Sequence, residues 1–152
     1  MLKVINIDIE EKPTGEVSAG AGVGTNGGTF AINVSENNWL GQGKKVNFEI
    51  EVDEESLEGT LNFSDPNYNF LGNSLNYFVG SESNDKPDQG YKNTLLSAGI
   101  STSFEQYKDI FVSLSLNASY DDLRTDSSAS SSLKKQAGEF SELTGSYGFK
   151  YD

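Results

Sequence analysis

A chain of 152 residues, 35% of them hydrophobic, is long enough for one domain but poorly supplied for a large water-soluble core. Its formal net charge of −12 argues against nucleic acid or an anionic lipid surface as partner, since both are bound through clustered Lys and Arg. With no Cys and no His, the chain lacks thiolate and imidazole metal ligands, disulfides and any nucleophile activated by His. Carboxylates alone leave a calcium site or an acid–base pair open, but no helix–loop–helix calcium spacing is present, and no cofactor, metal site or catalytic residue is expected.

No stretch approaches the roughly 18 apolar residues of a membrane helix, and Met1 to Lys12 has neither the basic start nor the apolar run of a signal peptide. Low mean hydropathy does not exclude a membrane barrel, whose strands show apolar side chains to lipid only at every second residue.

In chain order, Val4 to Glu10 reads as a short strand with Ile5, Ile7 and Ile9 on one face, and Pro13 and Gly15 break it into a linker. Val17, Ala19, Ala21 and Val23 then alternate with Glu16, Ser18, Gly20, Gly22 and Gly24 in a first strand, Glu16 to Gly24. Phe30, Ile32 and Val34 alternate in a second, after a Thr25 to Gly28 turn that tolerates positive φ. A corner at Asn37 to Gly43 carries Trp39.

The third strand, Lys44 to Asp53, sets Val46, Phe48, Ile50 and Val52 against Asn47, Glu49, Glu51 and Asp53. A face with three carboxylates cannot be buried dry. The fourth, Leu57 to Ser64, ends at Asp65 and Pro66, and the following corner carries Tyr68 and Phe70. A fifth strand, Ser74 to Ser81, is followed by a polar loop to Gly90. Thr94 to Phe104 and Ile110 to Tyr120 make the sixth and seventh. The stretch from Asp121 to Glu139 reads as a Ser-rich loop with a helical turn over Ala129 to Ala137, capped by Asp126. Leu143 to Tyr151 is the eighth strand.

Strands of about nine to eleven residues, apolar on one face and Ser, Thr, Asn, Glu and Gly on the other, suit an outer-membrane barrel, with short turns at one end and longer loops at the other. A soluble sandwich also alternates, but it does not require aromatics near strand ends. The expected fold is therefore all-β, an antiparallel up-and-down transmembrane barrel segment. Trp39, Tyr68, Phe70, Tyr120 and Tyr151 are its expected membrane-interface anchors.

The ordered set GEVSAGAGVGTNGG, SENNWLGQG and NFSDPNYNFLG, with the closing Tyr151 and Asp152, resembles the start of the barrel in the bacterial surface antigen family of outer-membrane-protein assembly factors. The resemblance covers nearly the whole chain. It implies that residues 1–12 are the final strand of a preceding POTRA-like domain with its linker, and that 13–152 are about the first half of a sixteen-stranded barrel in the bacterial outer membrane. It also implies a factor that inserts other β-barrel proteins without ATP, with unfolded outer-membrane proteins, accessory lipoproteins and the lipid bilayer as partners. The client-pairing edge would be Glu16, Val17, Ser18, Ala19, Gly20, Ala21, Gly22, Val23 and Gly24. The alternative function is a passive outer-membrane channel or small structural barrel.

Three other patterns have plainer readings. Gly22, Gly24 and Gly27 match a dinucleotide-binding spacing, but a strand follows where a helix is needed. Ser131 and Lys134 match S-x-x-K inside a Ser-rich loop without companion motifs. Glu49, Glu51 and Glu58 fall on the polar strand face, where lining a wet lumen accounts for them better than catalysis.

Overall fold

The computed structural model describes residues 8, 10–24 and 27–152; the strand expected at Val4 to Glu10 lies almost wholly outside them, and Asp8 and Glu10 belong to no element. Eight strands form one antiparallel sheet in sequence order: β1 (Gly15–Gly24), β2 (Gly27–Trp39), β3 (Lys44–Val52), β4 (Ser56–Asp65), β5 (Ser74–Lys86), β6 (Tyr91–Tyr107), β7 (Ile110–Thr125) and β8 (Gly138–Tyr151). A short α-helix, α1 (Ser131–Gln136), sits between β7 and β8, and a single 3-10 turn, Pro87–Gln89, between β5 and β6.

Directly opposed residues share a face, so the pairing sorts side chains into rows across the sheet. One row runs Val34, Phe48, Leu61, Val79, Ala98, Ala118 and Leu143, and the adjacent row on the opposite face runs Asn33, Glu49, Thr60, Gly80, Ser97, Ser119 and Glu142. Period-two alternation in each strand thus becomes an apolar face and a polar face for the whole sheet. Among the described residues no second layer covers either face, and Ala129 is the one buried hydrophobic residue. Within the described residues the apolar face thus has no covering sheet of the kind that a soluble sandwich supplies.

The polar face is the crowded, inner side in the second half of the sheet. A side chain added at Gly99 would meet Phe78 and Asn117, and one at Gly148 would meet Ser113, whereas at Gly59 and Gly145 on the apolar face it would meet nothing. The sheet does not close: β1 pairs only with β2, and β8 only with β7.

Strand lengths depart from expectation at one end. β5 continues to Lys86, β6 spans Tyr91–Tyr107, β7 reaches Thr125 and β8 starts at Gly138, so part of each expected polar loop is paired strand. Backbone pairing there persists beyond the apolar band because cross-strand hydrogen bonds do not require apolar side chains. The helix is shorter than expected and is capped by Ser130, whose hydroxyl accepts from the Leu133 N–H at 3.3 Å, while Asp126 accepts from Ser128 in the preceding loop. Loop length separates the two ends incompletely, since residues 66–73 form a long connection at the end otherwise closed by 40–43 and 108–109.

Candidate functional site: an open strand edge and its supports

β1 has one paired edge and one open edge. Its backbone follows β2 without a bulge, from Gly15 opposite Glu36 to Gly24 opposite Gly27. All ten residues are exposed, with Val17 at 73% and Val23 at 91%. The strand therefore holds its place by ladder hydrogen bonds and few side-chain contacts. Side chains added at Gly20, Gly22 or Gly24 would meet nothing within 4 Å, so crowding does not account for these glycines within this sheet. What they remove is cross-strand packing, the interaction that fixes register and strength. The Asn37 backbone and side-chain amides both donate to the Thr14 carbonyl, at 3.1 and 3.2 Å, and hold the start of β1 against the end of β2.

Two connections at that same end are built alike. In each, an Asn side-chain oxygen accepts from the backbone N–H five residues on: Gly43 to Asn38 at 2.6 Å, and Gly72 to Asn67 at 2.7 Å. Each also places a bulky residue in the left-handed region, Leu40 at φ 55° and Phe70 at φ 60°. A Lys44–Asp65 ion pair at 3.6 Å links the strands between them. Trp39 ends β2, Tyr68 and Phe70 lie in the second connection, and Tyr151 ends β8, so these four expected anchors share one end of the sheet. Tyr120 sits toward the opposite end of β7. Phe70 is 88% exposed.

At the other end the tips lean on one another. Lys86 pairs with Glu55, the Asp85 N–H donates to the Glu55 carbonyl at 2.7 Å, and the Asp126 N–H donates to the Gly90 carbonyl at 2.9 Å. Asp53 accepts from the Glu55 and Ser56 amides at 2.7 and 2.5 Å, which holds its carboxyl below the usual carboxylate range. Bonds from the Ser128 hydroxyl and amide do the same for Asp126.

Glu51 and Glu58 are directly opposed, and Glu82 extends their row on the polar face; Glu49 lies in the next row. Reading Ser81 to Gly90 as loop hid Glu82, although the two-residue phase of Leu75, Tyr77 and Val79 continues through it. Gly22, Gly24 and Gly27 lie in a hairpin with no helix after it. Ser131 and Lys134 lie on α1, and the Lys134 ammonium donates to the Ser127 carbonyl at 2.7 Å.

Comparison with known proteins places this architecture. The Omp85 superfamily domain matches residues 38–152, leaving β1 and nearly all of β2 outside the matched region. An outer membrane protein assembly factor BamA from Neisseria meningitidis serogroup B (strain ATCC BAA-335 / MC58) is 31% identical over 102 residues, 63% of this chain and 13% of that protein. The crystal structure of BamA from Haemophilus ducreyi lacking POTRA domains 1–3 is similar over 94% of this chain and 31% of that one, with a TM-score of 0.65 and 20% identity. The chain thus spans under a third of either protein. It belongs to the Omp85 superfamily of bacterial outer-membrane β-barrel proteins.

Proposed function

We propose that this sheet is the first half of an outer-membrane assembly barrel, in which the open edge of β1 templates the strands of incoming barrel proteins. The observation that carries the reading is the side-chain-poor make-up of β1, in which Ala19, Gly20, Ala21, Gly22 and Gly24 offer little cross-strand packing against β2. In hydrocarbon an entering strand must satisfy every backbone N–H and C=O, each costing several kcal/mol if left bare, and an open edge supplies the matching partners. No enzymatic chemistry is required. Scarce side-chain packing makes the new pairing weak enough to be exchanged later for the client's own closing strand. Unfolded outer-membrane proteins are the proposed clients and lipoproteins the proposed accessory partners. Residues 1–12 are proposed to finish a POTRA-like domain.

The apolar face is assigned to lipid and the polar face to water. Along β7 the apolar row from Ile110 to Tyr120 covers roughly 33 Å of strand, and a tilt of roughly 40° reduces this to roughly 25 Å, the height of an outer-membrane apolar band. Trp39, Tyr68, Phe70 and Tyr151 then meet one interface and Tyr120 the other.

Single cysteines replacing Ser18 and Gly22 in the full-length protein should crosslink to a client's final strand during assembly, in one register. Crosslinks formed as readily from Asn62, on interior strand β4, would overturn the assignment.

A further inference from the structure

The run Ala19, Gly20, Ala21, Gly22 specifies which way β1 faces but not its position along β2. A slip by two residues keeps every side chain on its face, and a strand of alternating Ala and Gly has little packing with which to resist it. The slip would even improve local contacts. In the observed register Val23 faces Gly28 and is 91% exposed; two residues on, it would face Phe30, with Ala21 opposite Ile32 and Ala19 opposite Val34. The hairpin turn would then centre on Asn26 and Gly27, a dipeptide strongly favoured in two-residue turns. The opposite end of the strand must therefore hold the observed register.

A hydrogen-bonded clamp stands there. The Thr14 carbonyl accepts from the backbone and side-chain amides of Asn37 at 3.1 and 3.2 Å. The Thr14 hydroxyl donates to the Glu36 carboxylate, which also accepts from the Asn38 N–H at 2.7 Å. Glu36 is directly opposite Gly15 and its carboxylate lies against that glycine, where an added Cβ would stand 2.9 Å from Oε2. After the slip Val17 would take the place of Gly15, its branched side chain in the space of the carboxylate, and Thr14 would be carried away from Asn37.

We infer that Glu36 and Asn37 are positioning residues that lock β1 in one of two registers on β2 and thereby set the depth at which an incoming strand is held. The inference rests on the templating by β1 proposed above. A client strand takes its register from β1, so a two-residue slip displaces it by about 7 Å relative to the rest of the sheet without turning either face over. Lipid-facing rows of the client would then stand out of line with those of the sheet.

Oxidative trapping of cysteine pairs in the full-length protein reads the register, since directly opposed strand residues lie within disulfide reach. Cysteines replacing Ser18 and Asn33 report the observed register, and cysteines replacing Gly20 and Asn33 the slipped one. The first pair should form about tenfold more than the second when the clamp is intact. Replacing Glu36 and Asn37 together by Ala should shift that ratio about tenfold toward the Gly20 pair, the scale of losing one or two net hydrogen bonds. Glu36→Gln, whose amide oxygen keeps the acceptor, should leave the ratio unchanged. Where the double variant does not assemble, Gly15→Ala, which crowds mainly the carboxylate, should move the ratio in the same direction. With a client stalled on the protein, a bifunctional reagent spanning about 10 Å, two strand spacings, from a cysteine at Asn33 should reach a client position two residues removed once the register has shifted. Equal trapping of the two pairs with the clamp intact, or a ratio that neither variant shifts, would overturn the lock. A shifted ratio with an unmoved client position would overturn the positioning role alone. No client bridge in any variant would overturn templating, and positioning with it, whatever the ratio between β1 and β2.

Discussion

Phe48 and Glu49 are adjacent in sequence yet stand on opposite faces, and the environments assigned to those faces make them the sharpest pair of residues to exchange. An Arg in place of Phe48 should cost about 2 to 4 kcal/mol of folding free energy in lipid, and an Arg in place of Glu49 little, because only the first meets hydrocarbon. Equilibrium unfolding of the two variants in the full-length protein checks this; equal costs would reverse or erase the lipid assignment. Asn38 and Asn67 carry a different load, since each side chain accepts the backbone N–H that closes its turn. Replacing either by Ala should cost about 1 kcal/mol, and the two effects should add. Denaturant midpoints of the single and double variants decide the matter, and no change in either would mean that the turns close without these bonds. Asp53 and Asp126 should respond to acid. Their carboxyls are held below the ordinary value of 3.8, so the stability they contribute is present above that value and is lost as pH falls through the folded-state value beneath it. Amide exchange at Glu55, Ser56 and Ser128, corrected for intrinsic rates, should therefore quicken below pH 3.8, and Asp→Asn variants should lose that acid response.

Among the elements, β3 and β4 were legible because side-chain phase, turn and strand end coincided: Val46 to Val52 alternates cleanly, and Asp65 and Pro66 stop the next strand. The far ends of β5 to β8 were not. Ser83, Asn84, Asp85 and their partners Lys92, Asn93 and Thr94 are polar on both faces, so nothing in their hydropathy marks a strand, and only pairing with a neighbour reveals one. The same limit hid Glu82, and with it the full carboxylate row. The proposed edge role of β1 rests on family resemblance; its exposure within this sheet and its freedom from crowding came from the structure. Those two observations make substitution there informative. Replacing Gly20 and Gly22 together by Val should leave the sheet sterically undisturbed, since neither added Cβ meets an atom within 4 Å. The added branched side chains strengthen cross-strand packing, and assembly of client barrels should slow as release becomes harder. Unchanged assembly by this variant would remove packing weakness from the account.

At the scale of the molecule, a single layer with two open edges and one buried hydrophobic residue among those described cannot be stable alone in water. Refolded by itself in detergent, the chain should aggregate or remain heat-sensitive; a heat-resistant monomer on electrophoresis would show that the eight strands close without a second half. Closure into a small barrel would require side chains to fill the interior, and the polar face instead brings together Ser, Asn, Gly and the Glu51, Glu58 and Glu82 row. That composition suits a wider, wetter lumen. The claim on which the rest depends is that β1 keeps an edge available for pairing. Hydrogen exchange of β1 amides in the full-length protein in bilayers, with and without a stalled client, measures that availability. The account predicts rapid exchange along the unpaired side of Glu16 to Gly24 in the free protein and strong protection of the same amides once a client is engaged, with β6 protected in both. Protection of β1 equal to that of β6 before any client arrives, and unchanged afterwards, would contradict it.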